Sequence, residues 1–260
     1  MITLLAFGLI VLMAVMSLVW LSSLILSDVS IVDPAWGFGF VVVALTYAIA
    51  EGDLTARDWL MLAIVVVWGL RLGGFLMWRK WGEPEDYRYA AMRAKRPASF
   101  PYRSLVTVFL LQAVLLWVVA WPVAAAIGAS DPGGIGVIEV VALLIAATGL
   151  VFESLGDLQL ARFKADPSNT GKVLDSGLWR YTRHPNYFGD AMVWWGVGLI
   201  GVTTPGGWWS IVGPILITVL LMRVSGVALL EKRLASSKPA YADYAARTSA
   251  FSPWLPGKTT

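Results

Sequence analysis

The stretch Leu178–Asp190, LWRYTRHPNYFGD, gathers Trp179, Arg180, Tyr181, Arg183, His184, Asn186, Tyr187 and Asp190 within thirteen residues, and His184 is the single histidine of the chain. Guanidinium forks match phosphate oxygens, and an asparagine amide both donates and accepts hydrogen bonds. Histidine adds the side chain that titrates nearest neutral pH. The stretch runs directly into AMVWWGVGLIGV, a segment apolar enough to lie in lipid. Further charges, Arg71, Glu153, Asp157, Asp190, Arg223 and Glu231, fall inside or at the edges of apolar runs, where facing lipid is costly. As a set they outline a polar cavity; one by one, each also reads as a snorkelling arginine or a local ion pair such as Arg223 with Glu231. Basic loops beside such a cavity suit an anionic ligand such as a phosphate-bearing cofactor, and they equally suit anionic lipid headgroups. One histidine excludes a His-pair metal site, and the absence of cysteine excludes disulfides, Cys-ligated zinc, iron–sulfur centres and thiol catalysis. GGIGVIE, Gly133–Glu139, lacks the preceding strand that a dinucleotide fingerprint requires.

The elements that hold these groups follow from composition. The 260 residues are 58% hydrophobic and 14% charged, and the first 27 carry no charged side chain. A soluble domain of this size has about 25% charged residues, so lipid is the expected solvent. The N-terminal run is too long, and lacks the basic start, for a signal peptide. Apolar runs long enough to cross a bilayer core of about 30 Å fall at 2–26, 34–50, 59–78, 104–127, 137–160, 187–204 and 208–230. The expected fold is an all-α integral membrane protein, a single domain over 1–260 with seven transmembrane helices; spans two and six are short enough to read also as re-entrant segments. The stretch 79–103 holds seven basic residues, 162–183 five and 232–258 five, against Arg57 alone in 51–58. By the positive-inside rule the N-terminus is outside and the C-terminus cytoplasmic.

SGLWRYTRHPNYFGD, 176–190, resembles the signature of the membrane steroid 5α-reductase and sterol reductase superfamily. SIVDPAWGFGF at 30–40, WGLRLGGFLMWR at 68–79, EDYRYAAMR at 85–93, FLLQAVLLWVVAWPV at 109–123 and TSAFSPWLP at 248–256 resemble its bacterial branch. The RHPNY core by itself is also similar to that of membrane isoprenylcysteine and phospholipid methyltransferases. Those enzymes carry a following Glu and Tyr-x-x-Tyr comparable to Glu231, Tyr241 and Tyr244. The reductase resemblance implies a seven-helix protein of the bacterial inner membrane that binds NADPH from the cytoplasm. It would reduce the C4–C5 double bond of a 3-oxo-Δ4 steroid, or a related lipid enone entering from the bilayer. The alternative is an S-adenosylmethionine-dependent membrane methyltransferase. Membrane lipids are the expected surroundings, the protein is expected to be a monomer, and no nucleic-acid partner is expected.

The resemblance also implies roles. Trp179, Tyr181, Arg183, His184, Asn186, Tyr187 and Asp190 match the cofactor-contacting motif, with Glu231 beside it. Asp157 and Lys164, two turns apart, match a family position near the cofactor and read equally as a helix-end salt bridge. Arg71 matches an arginine near the pyrophosphate; Tyr87, Arg88 and Arg93 would clamp the adenosine 2′-phosphate, or be solvated charges. The competing reading of the core is that Arg183 snorkels and Asn186 caps a helix. Animal steroid reductases use a Gln-Glu pair with a tyrosine, and no such pair occurs here. Asp33 and Trp36 occupy the corresponding region, Asp33 as a protonated carboxyl polarising the ketone or as an ordinary helix N-cap.

Overall fold

In the computed structural model the described residues are 1–129, 134–224, 226–227, 230–231, 234 and 240–257. Asp131–Gly133 and the basic residues Lys232, Arg233, Lys238 and Lys258 lie outside them. Helices account for all regular structure among the described residues, and one isolated bridge pairs Thr182 with Ser249. The helices are α1 (Ile2–Leu26), α2 (Val32–Glu51), α3 (Ala56–Lys80), α4 (Tyr87–Lys95), α5 (Phe100–Val119), α6 (Trp121–Ile127), α7 (Val137–Ala165), α8 (Pro185–Thr203), α9 (Val212–Val219) and α10 (Tyr241–Arg247).

Five of these runs are long and apolar enough to cross a membrane: Ile2–Leu26, Val29–Glu51, Ala56–Lys80, Phe100–Val119 and Val137–Ala165. The chain is therefore a helical membrane protein. By the same measure the expected seven is not reached. α8 carries Asn186 and Asp190 in its opening turns, and Trp208–Val224 is a shorter apolar helix. The span expected at 104–127 is corrected as well. It starts at Phe100, widens into a π-turn over Leu105–Leu110, and ends at Val119. Pro122 lacks an N–H and its ring obstructs the preceding turn, so α6 begins anew at Trp121.

The chain forms two compact units, Met1–Glu139 with Val197–Gly213, and Val140–Gly196 with Pro214–Thr260. In the first, α1 ends at Ser27 in the left-handed region (φ 54°), and Asp28 then caps a short turn through the Ser30 amide. Thr55 and Asp58 form a reciprocal capping box that starts α3. α2 and α3 meet backbone to backbone: a Cβ on Gly37 would stand 2.5 Å from the Gly73 nitrogen, and one on Gly69 would stand 2.7 Å from the Gly37 oxygen. Lipid tails give no hydrophobic drive for helices to associate, so this close approach, licensed by glycine, supplies the contact. Phe40 and Trp68 fill the buried space beside it with rings 5.2 Å apart.

The second unit uses the same device between α7 and α8. A Cβ on Gly149 would lie 2.5 Å from the Gly189 oxygen, and one on Gly196 would lie 2.6 Å from the Ala142 oxygen. α7 has 29 residues, about 44 Å at 1.5 Å per residue, against a hydrocarbon core of about 30 Å. It is therefore longer than that layer is thick, and Asp157 and Lys164 lie in its C-terminal third.

Gly37→Ala should lower thermal stability in detergent by about 1–3 kcal/mol, since neither backbone can yield without separating the helices. Gly74→Ala, whose Cβ meets nothing within 4 Å, should be neutral or stabilising by up to about 1 kcal/mol. Equal melting temperatures for the two variants would show that α2 and α3 do not depend on the close crossing.

Candidate functional site

In the first unit the polar residues converge on Asp33, in the first turn of α2. Its carboxylate accepts from Arg88 Nη2 at 2.7 Å and from the Tyr89 hydroxyl at 2.9 Å, both from α4. Arg88 also donates to Asp86 at 2.8 Å, and Gln112 of α5 reaches the Tyr89 oxygen at 3.4 Å. α4 is docked by a second set of contacts: Arg93 grips Glu85 through Nε and Nη2 at 2.9 and 2.8 Å, and Glu85 accepts from the Val29 amide at 2.9 Å. The Arg93 bonds, aided by that amide against the effect of burial, hold the Glu85 carboxyl below its ordinary range. Burial first, and the Asp33 charge second, push the Tyr89 phenol above the usual tyrosine range, so it remains a protonated donor at physiological pH.

These contacts revise several expectations. The N-cap of α2 is Ile31, so Asp33 is not a helix cap. Asp33 accepts from a guanidinium and a phenol, so its carboxyl group is not free of protein partners. Arg88 and Arg93 direct their guanidinium groups to carboxylates of their own unit rather than standing open for a phosphate. Trp36 meets Phe40 edge to face at 5.5 Å, Arg71 lies 5.4 Å from the Phe75 ring centre, and Tyr87 opens α4 half exposed. Tyr89 and Gln112 were missed, because partners 56 and 23 residues away leave no local pattern.

In the second unit the stretch 178–190 folds as a short 3-10 turn over Gly177–Arg180, a bend, and the start of α8 at Pro185. Trp179 Nε1 donates to the Gly156 carbonyl of α7 at 3.1 Å, and the Trp179 carbonyl accepts from the Tyr244 hydroxyl. Arg183 is a hub. Its Nη1 donates to the carbonyls of Ala245 and Thr248 at 2.6 and 2.8 Å, while Nε and Nη2 both meet Glu231 at 2.7 Å. The Arg183 and Trp254 amides donate to the carbonyls of Ser249 and Tyr181, strapping the C-terminal segment along the loop. His184 is buried, stacked on Tyr187 at 5.5 Å, with Nε2 3.4 Å from the same Glu231 oxygen. His184 and then Arg183 outweigh burial and hold Glu231 below the usual carboxylate range, whereas burial and the Glu231 charge push Tyr241 up to about 12.

Arg183, expected to touch a cofactor, is thus committed to the fold. Asn186 is the second residue of α8 and does not cap it. Its Nδ2 donates to Asp157 of α7 at 3.1 Å, while its Oδ1 is buried and receives no hydrogen bond from the described residues. A buried acceptor left unpaired costs about 1–3 kcal/mol, so such a group in a native structure calls for a functional account. Asp157 and Asp190 are themselves buried, Lys164 is exposed in the last turn of α7, and Tyr181 is exposed. The placement of Asn186 against α7 depends on Gly156, where a Cβ would meet the Asn186 nitrogen at 3.0 Å.

Fold and polar clusters together define a helical membrane protein whose motif residues are held by long-range contacts. A family model described as "Protein of unknown function (DUF1295)" matches residues 19–248, and the chain belongs to that family, whose members are membrane proteins related to steroid 5α-reductases. An uncharacterized protein of Schizosaccharomyces pombe is 24% identical, over 93% of this chain and 77% of that protein. No solved structure matches the chain.

The Glu231 shift fixes a sign. A carboxyl whose pKa is depressed by folding stabilises the protein above the unfolded value of 4.5 and loses that contribution as pH falls through the folded value. Melting temperature should therefore drop more steeply below about pH 4.5 for the unmodified protein than for Glu231→Gln. Parallel curves would mean that the Arg183–Glu231 contact contributes nothing to stability.

Proposed function

We propose that the protein is an NADPH-dependent reductase of a carbon–carbon double bond conjugated to a ketone in a lipid, with a 3-oxo-Δ4 steroid as the model substrate. The observation that carries this reading is Asn186, whose amide has one end on Asp157 and a buried acceptor oxygen with no donor among the described residues. The NH2 group of a nicotinamide carboxamide needs an acceptor, and Asn186 Oδ1 offers one. The bound cofactor would supply the hydride that adds to the carbon β to the ketone. Asn186 orients the carboxamide through Oδ1, and Asp157 fixes which end of the Asn186 amide faces it. His184 and Tyr187 support the loop by stacking. Membership of a family related to steroid 5α-reductases favours reduction over the other chemistry that the RHPNY core serves.

Charge developing on the ketone oxygen demands a donor in a dry setting. The Tyr89 hydroxyl does not fill that role, since its one proton goes to Asp33.

The reading includes seven crossings, with α8 and the 208–230 run completing the five longer spans, the N-terminus outside, and the site open to the cytoplasm of a bacterial inner membrane. The distribution of basic residues supports it: Arg79–Arg103, Arg162–Arg183 and the C-terminal tail fall on one side when seven helices are counted. A C-terminal alkaline phosphatase fusion, active only outside the cytoplasm, should be silent; an active fusion would invert the topology.

The activity test is a mass spectrum of product after purified protein meets progesterone with NADPH or, in parallel, with S-adenosylmethionine. A gain of about two mass units with NADPH alone is expected, one hydride plus one proton. A gain of about fourteen with S-adenosylmethionine, whose transferred methyl replaces a hydrogen, would establish the methyltransferase instead. Asn186→Ala should raise the KM for NADPH about tenfold or more with unchanged melting temperature.

A further inference from the structure

The second unit contains a surface pocket of about 470 Å³ that none of the roles above uses, lined by Asp175, Ser176, Gly177, Arg180, Arg247 and the Pro256–Gly257 stretch. Its volume lies within the range of small-molecule sites, about 300–1,000 Å³. The two arginines come from separate elements that face one another across it. Arg180 closes the 3-10 turn Gly177–Arg180, and Arg247 closes α10. Both elements are fixed. Gly177, at φ 61°, lies so close to Gln159 that a Cβ would come within 2.6 Å of Oε1, and the Leu178 amide donates to that oxygen at 3.0 Å. Tyr244, on α10, bonds the Trp179 carbonyl, tying the helix of Arg247 to the turn of Arg180. The Gly257 amide closes the rim on the Arg247 carbonyl at 2.8 Å.

Charge in the pocket is not balanced. Two guanidinium groups face one carboxylate, Asp175, which Arg247 meets through Nη2 at 2.6 Å. Arg180 is exposed, and no hydrogen bond or ion pair engages it among the described residues. The Arg247–Asp175 pair is itself open to water, with side chains 32% and 47% exposed, so it is screened and easily exchanged.

We propose that this pocket binds a phosphate monoester, with Arg180 and Arg247 as its two forks and the Ser176 hydroxyl as a further donor. Asp175 is the resident anion that the phosphate displaces from Arg247. A guanidinium fork fits a phosphate bidentately as well as it fits a carboxylate, and the dianion gains a second fork at Arg180 that Asp175 does not use. Release of Asp175 leaves two positive groups against a dianion. The phosphate can come from a soluble nucleotide or from a lipid headgroup, and both present the same monoester chemistry. The proposal does not rest on the reductase reading, which concerns Asn186 and is tested through NADPH dependence.

Full-length protein in a non-ionic detergent would be titrated by calorimetry with adenosine 2′-monophosphate and, separately, with dioctanoyl phosphatidic acid. Adenosine and dioctanoylglycerol are the phosphate-free controls. Saturable binding of one or both phosphates is expected, weakened at least tenfold by Arg180→Ala and by Arg247→Ala. Asp175→Asn should tighten it several-fold, a gain that unfolding cannot mimic. Binding of the nucleotide alone assigns the pocket to a soluble ligand, and binding of the lipid alone assigns it to the membrane surface. If neither phosphate binds, or if Arg180→Ala and Asp175→Asn both leave the affinity unchanged, the proposal is overturned.

Discussion

Helices in lipid have no water to flee from, so what joins them is how closely their backbones approach. Gly37, Gly69 and Gly73 bring α2 and α3 within direct backbone contact, and Gly149, Gly189 and Gly196 do so for α7 and α8. Each crossing is a constraint on everything attached to it. Asp33 sits one turn from Gly37 on α2, and Asn186 sits one turn from Gly189 on α8. The polar groups are therefore carried by the segments of helix whose positions vary least, which suits a site that must hold a ligand within tenths of an ångström.

Charges within such a framework survive by pairing. The Asp33–Arg88–Asp86 and Glu85–Arg93 contacts tie α4 to the start of α2, and Arg183 ties α8's leading loop to Glu231 and the C-terminal segment. Removal of one partner leaves a desolvated charge behind, which is costlier than never having had the pair. Arginine is the common choice because one planar group satisfies several acceptors at once: Arg183 serves two carbonyls and a carboxylate. Lysine, a compact point charge, could not bridge that set.

The helices were legible because apolar run length is a property of consecutive residues: α1 was read to the residue, and α2 and α3 to within three. Breaks and π-turns inside 100–127 were not, since Pro122 looks the same in a run whether it opens a helix or kinks one. Contact partners were less legible still. Asp33 was singled out because it occupies the region of the Gln-Glu pair of animal steroid reductases, but its partners Arg88 and Tyr89 lie 55 and 56 residues on. Spacing shows which residue types are available; only packing shows that Arg183 faces inward to backbone carbonyls while Arg180, three residues earlier, faces out.

That division bears on what the RHPNY core is for. The residues it shares with membrane methyltransferases include Arg183 and His184, which hold Glu231 and, through Arg183, the C-terminal segment. A scaffold of this kind can be reused with different cofactors, because it fixes the shape of a loop rather than the chemistry beside it. The Glu231 and Tyr241 that follow are bound into the same arrangement, so their presence is equally neutral between the two chemistries. Discrimination must then come from groups outside that arrangement. The weight of the functional argument accordingly falls on Asn186 and its partner Asp157, and only lightly on Arg183 and His184.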